Sequence, residues 1–94
     1  MKDYPHLLEA LAITVEKLRK ERELTKTALA SFSDLQECYI RGITKGRRNP
    51  TVIAVYAICE ALSVSPEEFF HMVSAEMENL SSSSKCKPSN SKLQ

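Results

Sequence analysis

The stretch KTALASFSDLQECYIRGITK, at residues 26–45, decides the fold because it divides into two short helices with a break between them. Thr25 has a suitable side chain for the N-cap of the first helix. Leu29 and Phe32 are the expected inward residues of this helix, since they lie three positions apart on one helical face. Residues 33–35 then interrupt the helical pattern, so the sequence predicts a tight connection between the two helices.

The second helix of the pair is expected to run from Gln36 to about Thr44. Ile40 and Ile43 give it one apolar face, whereas the rest of its surface is polar. It should end at the GRRNP sequence that follows, because Gly46 can adopt the left-handed conformation and the proline cannot continue a helix. The sequence therefore predicts a short helix that is anchored on one side and polar on the other.

Three further helices are predicted around this pair. The first should extend from near Pro5 to near Arg22, because apolar residues recur inside it at helical spacing, namely Leu8, Leu11, Val15 and Leu18. The fourth begins at Thr51 and has a similar repeat at Val52, Val55, Ile58, Cys59 and Leu62. The fifth begins at the SPEE sequence of residues 65–68, which has an N-cap hydroxyl, a first-turn proline and two carboxylates. It is expected to run to about Leu80.

The whole pattern predicts an all-α fold of five helices. Glycine occurs only twice in 94 residues, and no segment alternates apolar and polar residues as a half-buried strand does. Residues 1–80 are expected to form a single domain, because a chain of this length has one modest core. The remaining sequence, SSSSKCKPSNSKLQ at residues 81–94, has almost no apolar content and is expected to be a disordered tail.

The composition argues against several classes of protein. No segment has the roughly 18 apolar residues that a membrane span needs, and the chain does not open on a signal sequence, so a cytoplasmic location is expected. The three cysteines, Cys38, Cys59 and Cys86, contain no C-x-x-C pair, which favours reduced thiols. His6 and His71 lack carboxylates at ligand spacing, and no nucleophile has a base near it. No metal, cofactor, small-molecule ligand or enzymatic activity is therefore expected.

The charge is distributed unevenly although the net charge is only +1. Residues 1–25 carry five basic and five acidic side chains, whereas residues 26–48 carry five basic side chains against two acidic ones. Residues 49–80 then carry five acidic side chains and no Lys or Arg. Such a chain can present a local positive surface while it stays nearly neutral overall. An anionic partner is expected to bind near residues 26–48.

A polar helix flanked by basic residues has the features that reading the DNA major groove requires, because that groove admits one α-helix between two rows of phosphates. The run from Leu18 to Phe70 resembles the phage repressor and Cro family of helix-turn-helix domains, and the similarity extends back to about Leu11. It includes the family's helix order, the small Ala30 between the paired helices, and Ile40 as the core anchor of the second. The resemblance implies a transcription regulator that binds double-stranded DNA.

The resemblance also implies which residues contact DNA. Base contacts are expected from the exposed side of the second helix, at Gln36, Glu37, Cys38 and Arg41. Contacts to the sugar-phosphate backbone are expected from Lys26, Tyr39, Arg47, Arg48 and Asn49. Arg41 is the principal expected reader, because a guanidinium can bond guanine O6 and N7 together. Gly42 is expected to leave a gap against the DNA, where the family often has a longer side chain.

The sequence departs from the family pattern in the turn between the paired helices and in the four residues expected to contact bases, which we call the reading set. Asp34 stands where glycine is usual, which aspartate tolerates because it enters the left-handed region at modest cost. The reading set has no second glutamine and includes an acid, Glu37, which can accept a hydrogen bond from cytosine N4 or repel phosphate.

A third departure concerns an arginine in the first helix. Thr44 replaces the acid that normally pairs with the arginine matched here by Arg19. A buried guanidinium needs partners, so Arg19 is expected to be partly buried. Its expected partners are carbonyls at the end of the second helix of the pair, or the carboxylate of Glu16 or Glu23.

The fifth helix has more apolar residues than one helix face can bury against so small a domain. A dimer is expected through the fourth and fifth helices, and the residues expected to form its interface are Phe69, Phe70, Val73, Met77 and Leu80. A homodimer would place two recognition helices in successive major grooves of a palindromic operator, about 34 Å apart. The alternative is a protein-interaction module, adaptor or antitoxin-like, that keeps the fold without operator binding. The sequence specifies neither the operator nor the choice between repressor and activator.

Overall fold

A computed structural model describes residues 4–84 of the chain, with side chains as far as Ser81. Over that range it contains five helices and no strand, so the all-α prediction is confirmed. The helices are α1 (Leu7–Glu21), α2 (Lys26–Ser33), α3 (Glu37–Thr44), α4 (Val52–Ala61) and α5 (Pro66–Ser84). No helix among the described residues is both long enough and apolar enough to cross a membrane.

The fifth helix extends beyond its predicted end at Leu80 and reaches Ser84. Residues 81–84 are therefore helical, although the sequence placed them in the tail. Serine lowers helix stability by only a fraction of a kcal/mol, about 0.5, so a helix that is already well formed can continue through several of them. Residues 85–94, the rest of the predicted tail, lie outside the described residues.

The capping residues predicted from the sequence determine where the helices begin and end. The hydroxyls of Thr25, Thr51 and Ser65 accept hydrogen bonds from the N–H groups three residues further on, at 2.9, 3.0 and 3.1 Å respectively. Each hydroxyl satisfies a donor that the first turn of a helix leaves unpaired. Asp34 follows α2 with a φ of 57°, and Gly46 follows α3 with a φ of 72°. Aspartate therefore takes the left-handed position that the family gives to glycine.

The core lies where α1 packs against α3 and α5, and where α2 packs against α3 and α4. Each of the five helices contributes to the largest fully buried apolar side chains of the core, and so does the C-cap residue of α4. These side chains are Val15, Leu29, Ile40, Ile43, Ile58, Leu62, Phe69 and Val73. Because α3 contributes two of them although it has only eight residues, this helix is held firmly on its inner side.

The prediction that Phe32 points into the core is wrong, because 68% of this residue is exposed. The buried residues of α2 are Leu29, Ala30 and Ser33. Successive residues of an α-helix are rotated by about 100°, so the centre of that buried face lies about 100° away from Phe32. The side chain of Phe32 therefore faces solvent on the outer side of α2.

Two of the five residues predicted for a dimer interface instead belong to the core of a single chain. Phe69 and Val73 are 1% and 2% exposed, so the prediction is wrong for both. Met77 and Leu80 are partly buried against the same core, and Phe70 remains 45% exposed. The reason is that α1 runs alongside α5 and covers more of its apolar surface than the sequence argument assumed.

Candidate nucleic-acid interface

The pair formed by α2 and α3 is joined by a turn of three residues, 34–36. The N–H of Asp34 donates to the carbonyl of Ser31 at 3.2 Å, and the N–H of Leu35 donates to that of Ala30 at 3.0 Å. These bonds pair carbonyls at the end of α2 that would otherwise lack a donor, and the left-handed conformation of Asp34 makes them possible. The turn therefore has a fixed shape, and it sets the direction in which α3 leaves α2.

The four predicted base-contacting residues share the outer side of α3. Gln36 is the N-cap of the helix, and its amide oxygen lies 3.8 Å from the sulfur of Cys38. Cys38 and Arg41 are exposed, and Glu37 is half-buried. Ile40 and Ile43 are fully buried on the opposite side. The sequence prediction that these four side chains lie on one surface is therefore consistent with the structure.

Glu37 and Arg41 form an ion pair along that surface, one helical turn apart. Both Nε and Nη2 of Arg41 donate to the same oxygen of Glu37, the former at 3.1 Å. The bond from Arg41 holds the pKa of Glu37 below its ordinary value, and the nearby hydroxyl of Thr27 at the start of α2 acts in the same direction. This pair was not predicted from the sequence, although the i, i+4 spacing of opposite charges is its usual signal.

The side chain of Arg48 lies over Gly42 and Tyr39, where the sequence analysis expected a gap. A Cβ atom built on Gly42 would lie only 2.5 Å from Cγ of Arg48. The Cζ of Arg48 lies 5.5 Å from the centroid of the Tyr39 ring, within the range of a cation–π contact. The expectation that Gly42 leaves a gap against the DNA is therefore wrong, because another part of the same chain occupies that space.

The remaining residues predicted to contact phosphates lie on either side of α3. Lys26 is the first residue of α2, and Arg47 and Asn49 are exposed in the segment between α3 and α4. Within the described part of the chain, no ion pair involves the side chains of Lys26, Arg47 or Arg48. Positive charge without an ion-pair partner among the described residues therefore lies both before and after α3 in the chain.

The environment of Arg19 agrees with one part of its prediction and corrects another. Its side chain is only 14% exposed, and Nε and Nη2 donate to the two carboxylate oxygens of Glu16 at 3.0 and 2.8 Å. Nη1 donates at 2.7 Å to the carbonyl of Leu24, which lies in the connection to α2 and not at the end of α3. The bond from Arg19 lowers the pKa of Glu16. The predicted partner Glu16 is therefore confirmed. Among the described residues, Arg19 forms no hydrogen bond with Glu23 or with the carbonyls at the end of α3.

Among the described residues, no cluster of His, Cys, Asp or Glu has the arrangement of a metal site. Cys38 is a free, exposed thiol and Cys59 is a free, buried one. Burial raises the pKa of Cys59 to about 11, so this thiol stays protonated at neutral pH. Cys86 lies outside the described residues.

The comparison with protein families agrees with this geometry. The helix-turn-helix family profile matches residues 15–69, which are more than half of the chain. The chain belongs to the phage repressor and Cro-type helix-turn-helix family. A relative in Sinorhizobium fredii, the uncharacterized helix-turn-helix-type transcriptional regulator y4dJ, is 40% identical over 52 residues, which cover 55% of this chain and 68% of the relative. This helix-turn-helix protein is accordingly a DNA-binding transcription regulator.

Solved structures with the same fold include a restriction-modification controller protein, C.Esp1396I. Its wild-type form is 33% identical, covers 81% of this chain and 99% of its own, and superposes with a TM-score of 0.74. The same controller protein has been solved as a tetramer in complex with its natural 35 base-pair operator. The clp gene regulator ClgR from Corynebacterium glutamicum has a TM-score of 0.83 over 89% of both chains, but at 21% identity it supports the fold alone.

Proposed function

We propose that this helix-turn-helix protein is a cytoplasmic regulator that binds a palindromic or pseudo-palindromic operator as a homodimer. The observation that carries the proposal is the outer side of α3, whose candidate reading residues are preceded in the chain by Lys26 and followed by Arg47 and Arg48, none of which forms an ion pair with the described residues. A helix presented in this way enters the major groove while the basic groups contact the phosphates on either side. The related controller protein, solved on its natural operator, supports this interpretation.

The proposal divides the interface into a reading set and a positioning set. Gln36, Glu37, Cys38 and Arg41 face the base edges and supply discrimination. Lys26, Tyr39, Arg47, Arg48 and Asn49 contact phosphates or sugars and supply affinity for any sequence. The Tyr39 hydroxyl accepts a bond from the N–H of Thr51 at 3.2 Å, so its own proton can be donated to a phosphate oxygen.

The proposed dimer surface keeps the fourth and fifth helices of the sequence prediction, but exposed residues of α4 take the place of the buried Phe69 and Val73. Val52, Ile53 and Tyr56 are 73, 82 and 57% exposed, and their spacing of three and four places them on one stripe of α4. A groove lined by Ile53, Tyr56 and Pro66 continues this stripe onto α5, where Phe70 lies one turn beyond Pro66. We call Val52, Ile53, Tyr56 and Phe70 the apolar α4–α5 surface.

The proposed occupant of the apolar α4–α5 surface is a second copy of the chain. A two-fold interface uses the same patch on both partners, so an apolar stripe meets an identical stripe without any change of chemistry. Reading two half-sites also needs two copies in a fixed arrangement. Met77 lies two turns beyond Phe70 on the same side of α5, and together with Leu80 it is proposed to extend the contact.

Operator binding is tested with DNA from upstream of the chain's own gene, in the presence of excess random DNA. The protein should retain that fragment, and sequences selected from a random pool should contain two half-sites about 10 base pairs apart, centre to centre. Lys26→Ala should weaken binding to operator and random DNA alike and lower the slope of log K against log salt by about one unit. Equal affinity for the upstream fragment and random DNA would instead favour the protein-interaction alternative.

The dimer surface is tested by sedimentation of the double variant Ile53→Asp, Phe70→Asp. It should sediment as a monomer and bind a full operator much more weakly than the parent. The matched control is Phe32→Asp, because Phe32 is equally apolar and 68% exposed but lies on α2. The control should remain dimeric. Sedimentation of the parent protein as a monomer at tens of micromolar, roughly the concentration that a weak dimer needs, would contradict the homodimer.

A further inference from the structure

We infer that Gly42 is a positioning residue for DNA binding. Because it has no side chain, it leaves a recess on the surface of α3, which we call the seat, and the Arg48 side chain lies in this recess against Tyr39. The inference rests on the proposed function, and it deepens that function by explaining how one phosphate-contacting guanidinium is fixed beside the reading surface. Gly42 itself contacts no DNA in this proposal. It acts through Arg48.

The seat is defined by the contacts that a side chain at Gly42 would make. A Cβ atom there would lie 2.5 Å from Cγ of Arg48, and 3.5 Å from both Cβ and Cδ of the same residue. Carbon atoms pack at about 3.5 to 4.0 Å, so the first of these contacts is a collision. It involves the stem of the arginine and not its mobile end. Alanine at this position therefore requires the whole Arg48 side chain to move away from α3.

The other side of the seat is the ring of Tyr39, which is itself held in place. Tyr39 packs partly buried against the core, and its hydroxyl accepts the N–H of Thr51 at 3.2 Å. The guanidinium of Arg48 lies 5.5 Å from the ring centroid. Arg48 is thus held at its stem and at its charged end before any DNA is bound. Ordering a long side chain in advance lowers the entropy that binding must otherwise remove.

The backbone at Gly42 does not by itself require glycine. Gly46 has a positive φ, but Gly42 lies inside α3 and is not among the residues with positive φ. Glycine is also one of the least favourable residues in a helix interior, because it loses more conformational freedom on folding than any other residue. The close approach of Arg48 is the feature of the described structure that distinguishes this position.

The seat is tested first in the protein without DNA, by NMR. The γ and δ protons of Arg48 should show the upfield shifts that a nearby aromatic ring causes, and Gly42→Ala should remove those shifts. The variant should keep the parent's helical circular dichroism and melt at the same or a higher temperature, since alanine favours the helix. Unchanged Arg48 shifts in Gly42→Ala would overturn the inference, whether or not the protein binds DNA.

The consequence for binding is tested by a double-mutant cycle. Gly42→Ala should lower affinity for operator and random DNA by about the same factor as Arg48→Ala, and should reduce the salt slope by up to one unit. In the Arg48→Ala background it should have no further effect. Arg47→Ala is the control background, in which Gly42→Ala should keep its full effect because the Arg47 side chain is exposed and outside the seat.

The double-mutant cycle also distinguishes this inference from two alternatives, a direct collision with the DNA and the absence of any role in binding. If Gly42→Ala weakens binding just as strongly in the Arg48→Ala background, the added methyl group collides with the DNA itself and the inference is wrong. If Gly42→Ala binds as well as the parent protein, the seat has no role in binding and the inference is again wrong. Failure of the parent protein to prefer its operator would instead overturn the proposed function, while the NMR result would still decide whether the seat exists.

Discussion

Two arginine–glutamate pairs, one in the scaffold and one on the recognition helix, have the same chemistry and different surroundings. In α1, Arg19 bonds both oxygens of Glu16 and also the carbonyl of Leu24, and its side chain is 14% exposed. In α3, Arg41 bonds a single oxygen of Glu37, and its side chain is 52% exposed. The Arg19 guanidinium donates from Nε and from both terminal nitrogens, and its partners are largely shielded from water. The exposed Arg41 guanidinium can exchange Glu37 for another partner without leaving a buried group unpaired.

This difference indicates what each pair contributes. Removing one member of a largely buried network leaves its partners desolvated and unbonded, which destabilises the fold. An exposed pair is weak because water competes for both charges, and it can be given up when a guanine edge replaces the carboxylate. We expect the α1 pair to act on folding and the α3 pair to act on DNA recognition.

The largest expected effect is on stability, at Arg19. Arg19→Met keeps most of the apolar stem but leaves the Leu24 carbonyl and the Glu16 carboxylate without their donor, so the free energy of unfolding should fall by about 1 to 3 kcal/mol. The same substitution at Arg41 is the matched control, and it should lower the free energy of unfolding much less, because the pair it breaks is exposed. Urea denaturation followed by circular dichroism measures both. Equal losses in the two variants would remove the distinction between the pairs.

The second prediction concerns specific binding, at Arg41. Arg41→Ala should lose about 1 to 3 kcal/mol, or roughly 5- to 150-fold, on the selected operator and little on random DNA, because a bidentate contact to guanine is lost. Arg47→Ala should weaken both by a similar factor, because a phosphate contact carries no sequence information. Selection from random sequence by the two variants measures this. If Arg41→Ala selects the parent's consensus with equal stringency while Arg47→Ala changes it, the assigned roles are inverted.

The sequence was sufficient to predict the elements that depend on local chemistry. The hydroxyl caps, the proline and glycine that end helices, and the apolar repeats of α1 and α4, apart from the exposed Val52, each act over one or two turns. Asp34 was interpreted correctly for the same reason, since its left-handed conformation depends on its own short side chain. The outward-facing side of α3 followed from the positions of Ile40 and Ile43, which determine which side of a short helix is buried.

The sequence was not sufficient where a contact joins segments whose relative position only the fold decides. The burial of Phe69 and Val73 depends on how far α1 extends along α5, which periodicity within α5 does not contain. The seat at Gly42 depends on Arg48 folding back over α3 after the turn at Gly46. The effect of Thr27 on the pKa of Glu37 likewise depends on how closely the starts of α2 and α3 approach each other.

A smaller effect is expected when Arg41 is released from its partner. Glu37→Gln removes a negative charge near the phosphates and loosens Arg41, so affinity for random DNA should rise a few-fold, about two- to fivefold, while the operator-to-random ratio falls. Glu78→Gln, an exposed change of equal charge on α5, is the control and should alter neither value. Both affinities are measured at one salt concentration. An unchanged ratio would mean that Glu37 neither reads a base nor orients Arg41.

The smallest predicted effect is the response of each pair to acid and salt. The pKa values of Glu16 and Glu37 are both lowered from 4.5, chiefly by their arginine partners. A carboxyl group with a lower pKa in the folded state adds stability above the pKa of the unfolded state, and that stability is lost as the pH falls through the folded value. Glu16→Gln should therefore reduce the loss of stability below about pH 4.5, and Glu37→Gln should reduce it less.

Salt separates the two contributions, because ions screen exposed charges more strongly than partly buried ones. In 1 M NaCl, where the Debye length is about 3 Å, the pH dependence that Glu37→Gln removes should disappear, whereas most of that removed by Glu16→Gln should remain. Urea midpoints between pH 7 and pH 3, at low and high salt, measure both. If salt abolishes the Glu16 contribution as completely as the Glu37 contribution, water reaches both pairs equally. The α1 pair would then have no special role in holding the scaffold together.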